Sequence, residues 1–213
     1  MKMGLEKEFE KVGIIPVIVL EDVKDAKLVG KALVEGGLNA AEVTFRTDAA
    51  EEVIKVMAKE FPNMLLGAGT VLRPEQADKA MAAGAKFLVS PGFNPHLVSY
   101  CIKKGYPIVP GIQTPSEIEQ AMFMGIHFVK FFPAEQAGGL DMIKALTAPY
   151  TDLKVMPTGG VSEKNVKNYL SHKNVVACGG TWMVKKNLID QGDFEKVKEI
   201  AKEAASIVKE IRG

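Results

Sequence analysis

The fold is decided by a stretch that reads PIVPGIQ at residues 107–113, TPSEIEQAMFM at 114–124 and HFVKFF at 127–132. Two short apolar runs flank a segment whose apolar residues recur at helical spacing. Thr114 is a possible helix cap, and Pro115 suits the first helical turn. The stretch therefore predicts a strand, a helix and a second strand.

The same alternation extends in both directions from this unit. Apolar runs predict eight strands, at residues 12–20, 40–45, 64–71, 86–91, 107–113, 127–132, 153–157 and 174–179. Amphipathic segments predict helices at 22–35, 48–61, 74–83, 95–104, 115–124, 140–146, 162–170 and 193–211. Eight parallel strands with helical crossovers indicate an α/β fold, a single (β/α)8 TIM barrel over residues 1–213 with an N-terminal helix.

An open doubly wound sheet is the rival architecture. It is disfavoured because no G-x-G-x-x-G sequence opens the first helix and because the strands recur evenly along the chain. No linker, low-complexity segment or charge block marks a second domain.

The charge and composition of the chain argue against several classes of protein. The formal net charge of +1 offers no field for holding nucleic acid or an anionic membrane. No apolar stretch approaches the length of a membrane span, and the first residues are charged where a signal peptide would be apolar. The two cysteines, Cys101 and Cys178, are not closely spaced and read as packing residues in a reducing compartment. We expect a cytoplasmic protein.

Strand parity selects the candidate catalytic residues. In the second strand Glu42, Thr44 and Arg46 share one face, and the apolar residues Ala41, Val43 and Phe45 share the other. The apolar face should pack against the helices, so the three polar side chains are expected to point into the barrel. The same parity places Lys130 inside, between the aromatic residues Phe128 and Phe132.

A lysine and a glutamate in one apolar pocket form a chemical unit. Apolar surroundings favour the free amine of a lysine, the form that attacks a carbonyl, so Lys130 could form an imine with a 2-oxo acid. Glu42 could then move protons, and the planar fork of Arg46 could bind a carboxylate. The alternatives, a structural Lys–Glu pair and a rim salt bridge of Arg46, stay open on spacing alone.

Glycine turns after the last two strands indicate an anion site. Residues 157–160 read PTGG and residues 178–182 read CGGTW. Barrels often bind phosphate here through backbone N–H groups, although tight turns alone would also explain the glycines. The third strand ends in GAGTV at 67–71, a weaker signal in which Thr70 can donate a hydrogen bond. The histidines His96, His127 and His172 form no metal-ligand pattern, so no metal is expected.

Seven motifs occur together and in order: EVTFRT at 42–47, GAGTV at 67–71, SPG at 90–92, PGI at 110–112, KFFPAE at 130–135, PTGG at 157–160 and GGTW at 179–182. As a set they resemble the 2-keto-3-deoxy-6-phosphogluconate (KDPG) and 4-hydroxy-2-oxoglutarate (KHG) aldolase family. The resemblance runs from about residue 14 to 185.

The resemblance implies a class I aldolase that cleaves KDPG to pyruvate and glyceraldehyde 3-phosphate and often also cleaves KHG to pyruvate and glyoxylate. It implies a homotrimer that needs neither metal nor cofactor and has small-molecule substrates only. By position, Lys130 matches the Schiff-base lysine and Glu42 the proton-transfer base. The resemblance also implies a set of substrate-binding residues: Arg46, Thr70, Pro91, Phe132, Thr158, Gly159, Gly160, Gly180 and Thr181.

One position departs from the family pattern. Thr181 stands where close relatives carry serine, and if that hydroxyl matters the added methyl group would weaken phosphate binding and favour a smaller aldehyde. The choice between KDPG and KHG therefore stays open, as does the galactonate epimer of KDPG. Two further rivals are a phosphate-binding isomerase or lyase without covalent catalysis, and a catalytically silent oligomeric barrel.

Overall fold

A computed structural model describes the chain over residues 3–213, with side chains from residue 5 onward. Strands and helices alternate along the whole of this range. The strands are β1 (Ile14–Ile18), β2 (Ala40–Thr44), β3 (Leu65–Gly69), β4 (Phe87–Val89), β5 (Ile108–Val109), β6 (Gly111–Ile112), β7 (Phe128–Phe131), β8 (Lys154–Pro157) and β9 (Cys178–Gly180). The helices are α1 (Met3–Val12), α2 (Ala26–Glu35), α3 (Ala50–Glu60), α4 (Pro74–Ala82), α5 (Pro95–Lys104), α6 (Pro115–Phe123), α7 (Gly139–Thr147), α8 (Val166–Leu170), α9 (Lys186–Asp190) and α10 (Phe194–Arg212).

Every predicted strand is present, with differences that have local causes. The run 107–113 is divided into β5 and β6 at Pro110, because proline has no N–H to continue a strand ladder. The run 174–179 keeps only its end as β9, and Val175 pairs with Val155 in an isolated parallel bridge. The sequence patterns did not predict α9.

The predicted helices are also present, and some of them begin a few residues from the predicted position. The helix predicted at 22–35 opens with a separate 3-10 turn at Val23–Asp25. The helix predicted from residue 162 starts at Val166, because the Asn165 side chain accepts a hydrogen bond from the Ser162 N–H at 2.8 Å and forms a turn there. Thr114 caps α6 in a reciprocal capping box with Glu117.

All strand pairs are parallel. One sheet has the order β5-β4-β3-β2-β1-β9, and a second has the order β6-β7-β8. Isolated parallel bridges, Val155 with Val175 and Thr158 with Gly179, join β8 to the segment that leads into β9 and to β9 itself. The carboxyl ends of the strands therefore meet at one edge of a curved parallel sheet.

Two apolar clusters occupy the two faces of this sheet. The larger one fills the space between the strands and the surrounding helices and includes Ala41 and Val43. The smaller one gathers side chains from β1 to β5, β7 and β8 on the concave face. The ring of Phe9, from α1, enters this inner cluster and makes edge contacts with Phe87 and Phe128 at centroid distances of 4.7 and 5.1 Å. The N-terminal helix thus closes one end of the concave face.

Within the described residues, no helix is long and apolar enough to cross a membrane.

Candidate active site

A lysine and a glutamate meet on the concave face of the sheet. The Nζ of Lys130 on β7 lies 3.4 Å from Oε1 of Glu42 on β2. The exposed fraction is 6% for Lys130 and 0% for Glu42. The parity argument from the sequence is confirmed at both positions, because the inner cluster contains Ala40 and Phe128, which share faces with these residues. A buried ion pair of this kind places a nucleophile and a base within reach of one bound molecule.

Glycine at position 69 makes room for the glutamate. A Cβ atom added to Gly69 would lie 2.0 Å from Oε1 of Glu42. Strands β2 and β3 are neighbours, and Gly69 pairs with Thr44, two residues beyond Glu42. The strand register therefore brings Gly69 next to the Glu42 side chain. Among the residues the structure describes, the second carboxylate oxygen, Oε2, is buried without a hydrogen-bond partner. An acceptor in this state is suited to a polar group of a bound molecule.

Aromatic rings surround the lysine along its own strand. Phe128 is buried below Lys130 in the inner cluster. Phe132 is half-buried above it, and the lysine Nζ lies 5.2 Å from the centre of that ring. The amine therefore lies close to both an aromatic ring and the Glu42 carboxylate.

Arg46 and Thr70 come together at the edge of the sheet. The Arg46 Nε donates to the Thr70 hydroxyl at 3.4 Å. Strand β2 ends at Thr44, so Arg46 lies past it and is exposed, which corrects the expectation that parity carries this side chain inside. Thr70 has a φ of 55°, a left-handed conformation that a β-branched residue adopts only under strain. Such strain concentrates at functional sites.

The turn that follows β8 has its carbonyls bound and the N–H group of Gly160 unbound. The Gly159 oxygen accepts from the Glu135 N–H at 3.0 Å, and the Gly160 oxygen accepts from the Asn165 side-chain amide at 3.1 Å. Over the described part of the chain, no acceptor bonds to the N–H of Gly160, whereas the bridge between Thr158 and Gly179 turns the Gly159 N–H toward the Gly179 carbonyl. Both glycines have positive φ, 99° and 78°. Successive N–H groups in such a turn form a concave site for an anion.

The segment after β9 lies beside this turn. Thr158 is buried, and its hydroxyl oxygen would be 2.4 Å from a Cβ atom added to Gly179. That hydroxyl has no hydrogen-bond partner within residues 5–213. Thr181 is exposed, and Trp182 packs on Gly180, where an added Cβ atom would lie 1.8 Å from the indole. Gly179 and Gly180 are thus required because the side chains of Thr158 and Trp182 leave no room for a Cβ atom at these positions.

Pro91 completes the rim near β6. It is half-buried, and its carbonyl carbon and oxygen lie against Gly111, which pairs in register with Lys130. The sequence-predicted set therefore gathers at the carboxyl ends of β2, β3, β4, β7, β8 and β9.

The residues that the sequence analysis set aside lie elsewhere. His127 bonds to Asp152 at 2.8 Å on the outside of the sheet. Cys101 and Cys178 are buried free thiols, and burial raises the pKa of both. No three or more His, Cys, Asp or Glu side chains form a metal-binding group in the described residues.

Three residues beside the glycine turn were not singled out from the sequence. Glu135 and Tyr169 are hydrogen-bonded to each other, and Asn165 supports the turn as described above. Glu135 could have been found from the sequence, because it ends the KFFPAE motif. No sequence pattern points to Tyr169 or Asn165, since their contacts depend on how α8 packs against the turn.

Comparison with known proteins gives consistent matches over almost the whole chain. The family model described as KDPG and KHG aldolase matches residues 5–200. The 2-dehydro-3-deoxy-phosphogluconate aldolase of Treponema pallidum is 50% identical over 199 residues, which are 93% of this chain and 95% of that protein. The KHG/KDPG aldolase of Escherichia coli K12 is 40% identical over 90% of each chain.

Solved structures give the same result. The crystal structure of KDPG aldolase from Legionella pneumophila aligns with a TM-score of 0.91 and 37% identity, covering 95% of this chain and 98% of that one. That structure holds pyruvate captured at low pH as a covalent carbinolamine intermediate.

Proposed function

Because the chain belongs to the KDPG and KHG aldolase family, we propose that it cleaves KDPG to pyruvate and glyceraldehyde 3-phosphate through an imine on Lys130. We propose that it also cleaves 4-hydroxy-2-oxoglutarate to pyruvate and glyoxylate. The observation that carries this proposal is the buried pair of Lys130 and Glu42, with 3.4 Å between amine and carboxylate. The carbinolamine with pyruvate in the Legionella relative supports a covalent route.

The reaction starts at the substrate ketone. The lysine amine attacks C2, and loss of water from the carbinolamine gives a protonated imine. A base then removes the proton of the C4 hydroxyl, the C3–C4 bond breaks, and its electron pair forms the C2=C3 double bond of an enamine while the imine π pair moves to nitrogen. The aldehyde leaves, the enamine is protonated at C3, and water releases pyruvate. Glu42 is within reach of the lysine nitrogen for these proton transfers, directly or through a water molecule.

The two ends of the substrate are bound at different parts of the rim. Arg46 and Thr70, which are 3.4 Å apart, suit the C1 carboxylate. The turns at Gly159 and Gly160 and at Gly180 and Thr181 suit the phosphate, with the unbound N–H of Gly160 as a donor. The remaining proposed contacts, which lie between these ends, are Pro91, Phe132 and Thr158.

A turnover comparison tests this function. We expect cleavage of both KDPG and 4-hydroxy-2-oxoglutarate, coupled to pyruvate formation, with the rate unchanged by a chelator. Loss of activity with chelator would contradict the metal-free imine route. Proton exchange without a trapped imine would instead favour the phosphate-binding isomerase or lyase without covalent catalysis.

Thr158 bears on the choice of epimer. Its buried hydroxyl, unpartnered within the described residues, is available to the substrate's C4 hydroxyl. We propose the gluconate epimer, as in the relatives with 40% identity or more. A larger kcat/KM on the galactonate epimer would contradict this choice.

We further propose that the chain forms a single domain, one closed eight-stranded barrel. In support, β5 and β6 are separated only by Pro110, and the bridges at Val155 and Thr158 link β8 to the β9 segment. The family resemblance supports a homotrimer, and Phe123, which is 93% exposed, offers apolar surface for contact between copies. Sedimentation velocity should therefore give about three times the 23.1 kDa chain mass. The unpaired thiols support a cytoplasmic location.

A further inference from the structure

Glu135 is held by the same turn that carries the proposed phosphate site. It ends the motif that begins at Lys130, and its N–H donates to the Gly159 oxygen at 3.0 Å. The neighbouring Ala134 N–H donates to the Thr158 oxygen at 2.8 Å. The chain after β7 therefore runs alongside the turn after β8 and is bonded to it at two successive residues.

The Glu135 side chain packs directly on the turn. A Cβ atom added to Gly160 would lie 2.6 Å from the Cβ and 2.5 Å from the Cγ of Glu135. The glutamate stem therefore covers one face of Gly160, and the turn cannot move toward it. Since Gly160 also has a positive φ of 78°, the packing helps to hold a conformation that few other residues would adopt.

The Glu135 carboxylate is fixed by a buried tyrosine. Oε1 of Glu135 accepts a hydrogen bond from the hydroxyl of Tyr169 on α8, whose exposed fraction is only 1%. Burial, and then the bond to Glu135, raise the pKa of Tyr169, so the hydroxyl keeps its proton and remains the donor. The tyrosine is thus a rigid anchor for an otherwise exposed acidic side chain.

The bond also determines where the negative charge lies. Both Oε1 of Glu135 and the Tyr169 hydroxyl lie against Gly139, at 3.3 and 3.2 Å from the position of an added Cβ. Gly139 starts α7, and a helix start favours negative charge. The carboxylate is therefore held at the groove between α7 and α8, which Glu135 and Tyr169 line.

We propose that Tyr169 and Glu135 act as a positioning pair that holds the Gly159–Gly160 turn in shape to bind the substrate's phosphate and keeps the Glu135 charge directed away from that phosphate. The inference rests on the proposed function, since it needs a phosphorylated substrate at this turn. Neither residue touches the reacting carbons. Their removal should therefore affect the phosphate end of the substrate and leave imine chemistry intact.

The first test is Tyr169→Phe, which keeps the buried ring and removes only the hydroxyl. KM for KDPG should rise about tenfold, the effect of one lost hydrogen bond to a charged group, while kcat stays within about twofold. Two probes without phosphate should be unchanged within about twofold: kcat/KM on 4-hydroxy-2-oxoglutarate, and the rate of pyruvate trapping by borohydride.

The second test uses Glu135, whose side chain is exposed. Glu135→Ala should reproduce the selective rise in KM for KDPG, because it removes the Cγ contact with Gly160 and the acceptor for Tyr169. Glu135→Gln retains the stem and an acceptor oxygen, so it should restore KM to within about threefold of the parent. A matched control is Tyr150→Phe, which removes another Tyr–Glu hydrogen bond, 3.0 Å to Glu119, outside the proposed site.

Two results would overturn the proposal. One is an unchanged KM for KDPG in both Tyr169→Phe and Glu135→Ala. The other is an equal loss on the phosphorylated and unphosphorylated probes, which would make the pair a general support of the fold. Failure of the proposed function is seen separately, as a parent protein that neither cleaves KDPG nor traps pyruvate.

Discussion

The amine of Lys130 and the carboxylate of Glu42 lie 3.4 Å apart on strands that are not neighbours in either sheet. The two side chains meet across the concave face, where both are almost fully buried. Gly69 leaves the space that the glutamate occupies. A lysine in this position has a base at hand and little competing water, which is the arrangement that imine chemistry requires.

Glu42→Gln tests the proton-transfer role of the glutamate. The amide keeps the size of the side chain but cannot act as a base, so kcat for KDPG cleavage should fall about 10²- to 10⁴-fold. The pyruvate adduct should still form with borohydride on long incubation, since the nucleophile is intact. Glu203→Gln, an exposed change on α10, is the matched control. A kcat within tenfold of the parent would exclude Glu42 as the main base.

Arg46→Lys tests carboxylate binding at the rim. Lysine keeps the charge but lacks the planar fork, so KM should rise about tenfold for KDPG and for 4-hydroxy-2-oxoglutarate alike, with kcat little changed. Both substrates carry the same C1 carboxylate, which is why the effect should not discriminate between them. Arg73→Lys, at an exposed position before α4, controls for the exchange itself. A rise confined to KDPG would place Arg46 at the phosphate instead.

Phe9→Ala tests whether α1 is part of the folded core. The ring is fully buried and makes edge contacts with Phe87 and Phe128, so the change should lower the free energy of unfolding by about 3–5 kcal/mol. Leu28→Ala, at a position 45% exposed on α2, should cost less than about 1 kcal/mol. Urea unfolding measures both. Equal small losses would mean that the helix is not packed as described.

Arg212→Ala tests how the last helix is fastened. The Arg212 guanidinium donates to the carbonyls of Val176 at 2.6 Å and Val175 at 3.1 Å, and to that of Glu10. Removing these bonds leaves the partly buried Val175 and Val176 carbonyls unpaired and should cost about 1–3 kcal/mol, seen as a lower melting temperature. Lys202→Ala, at an exposed position on the same helix, should change the melting temperature little. No difference between the two variants would refute the fastening role.

The sequence predicted the alternation of strands and helices and the inward direction of Glu42 and Lys130, because both follow from local periodicity. Parity failed at Arg46, since it holds only within a strand and β2 ends at Thr44. The Lys130 to Glu42 distance could not be predicted, because it depends on how the sheet curves between strands far apart in the order. The contacts of Tyr169 and Asn165 were missed for a similar reason, as they depend on the packing of α8 beside the glycine turn.

The central claim is that Lys130 forms a covalent imine with the 2-oxo acid. Incubation with pyruvate and borohydride, followed by mass spectrometry of the whole chain and of its peptides, tests it most directly. The account predicts one stable reduced pyruvate adduct on the peptide that contains Lys130, and no adduct and no cleavage of KDPG in Lys130→Ala. An adduct on another lysine, or an intact adduct and turnover in Lys130→Ala, would contradict it.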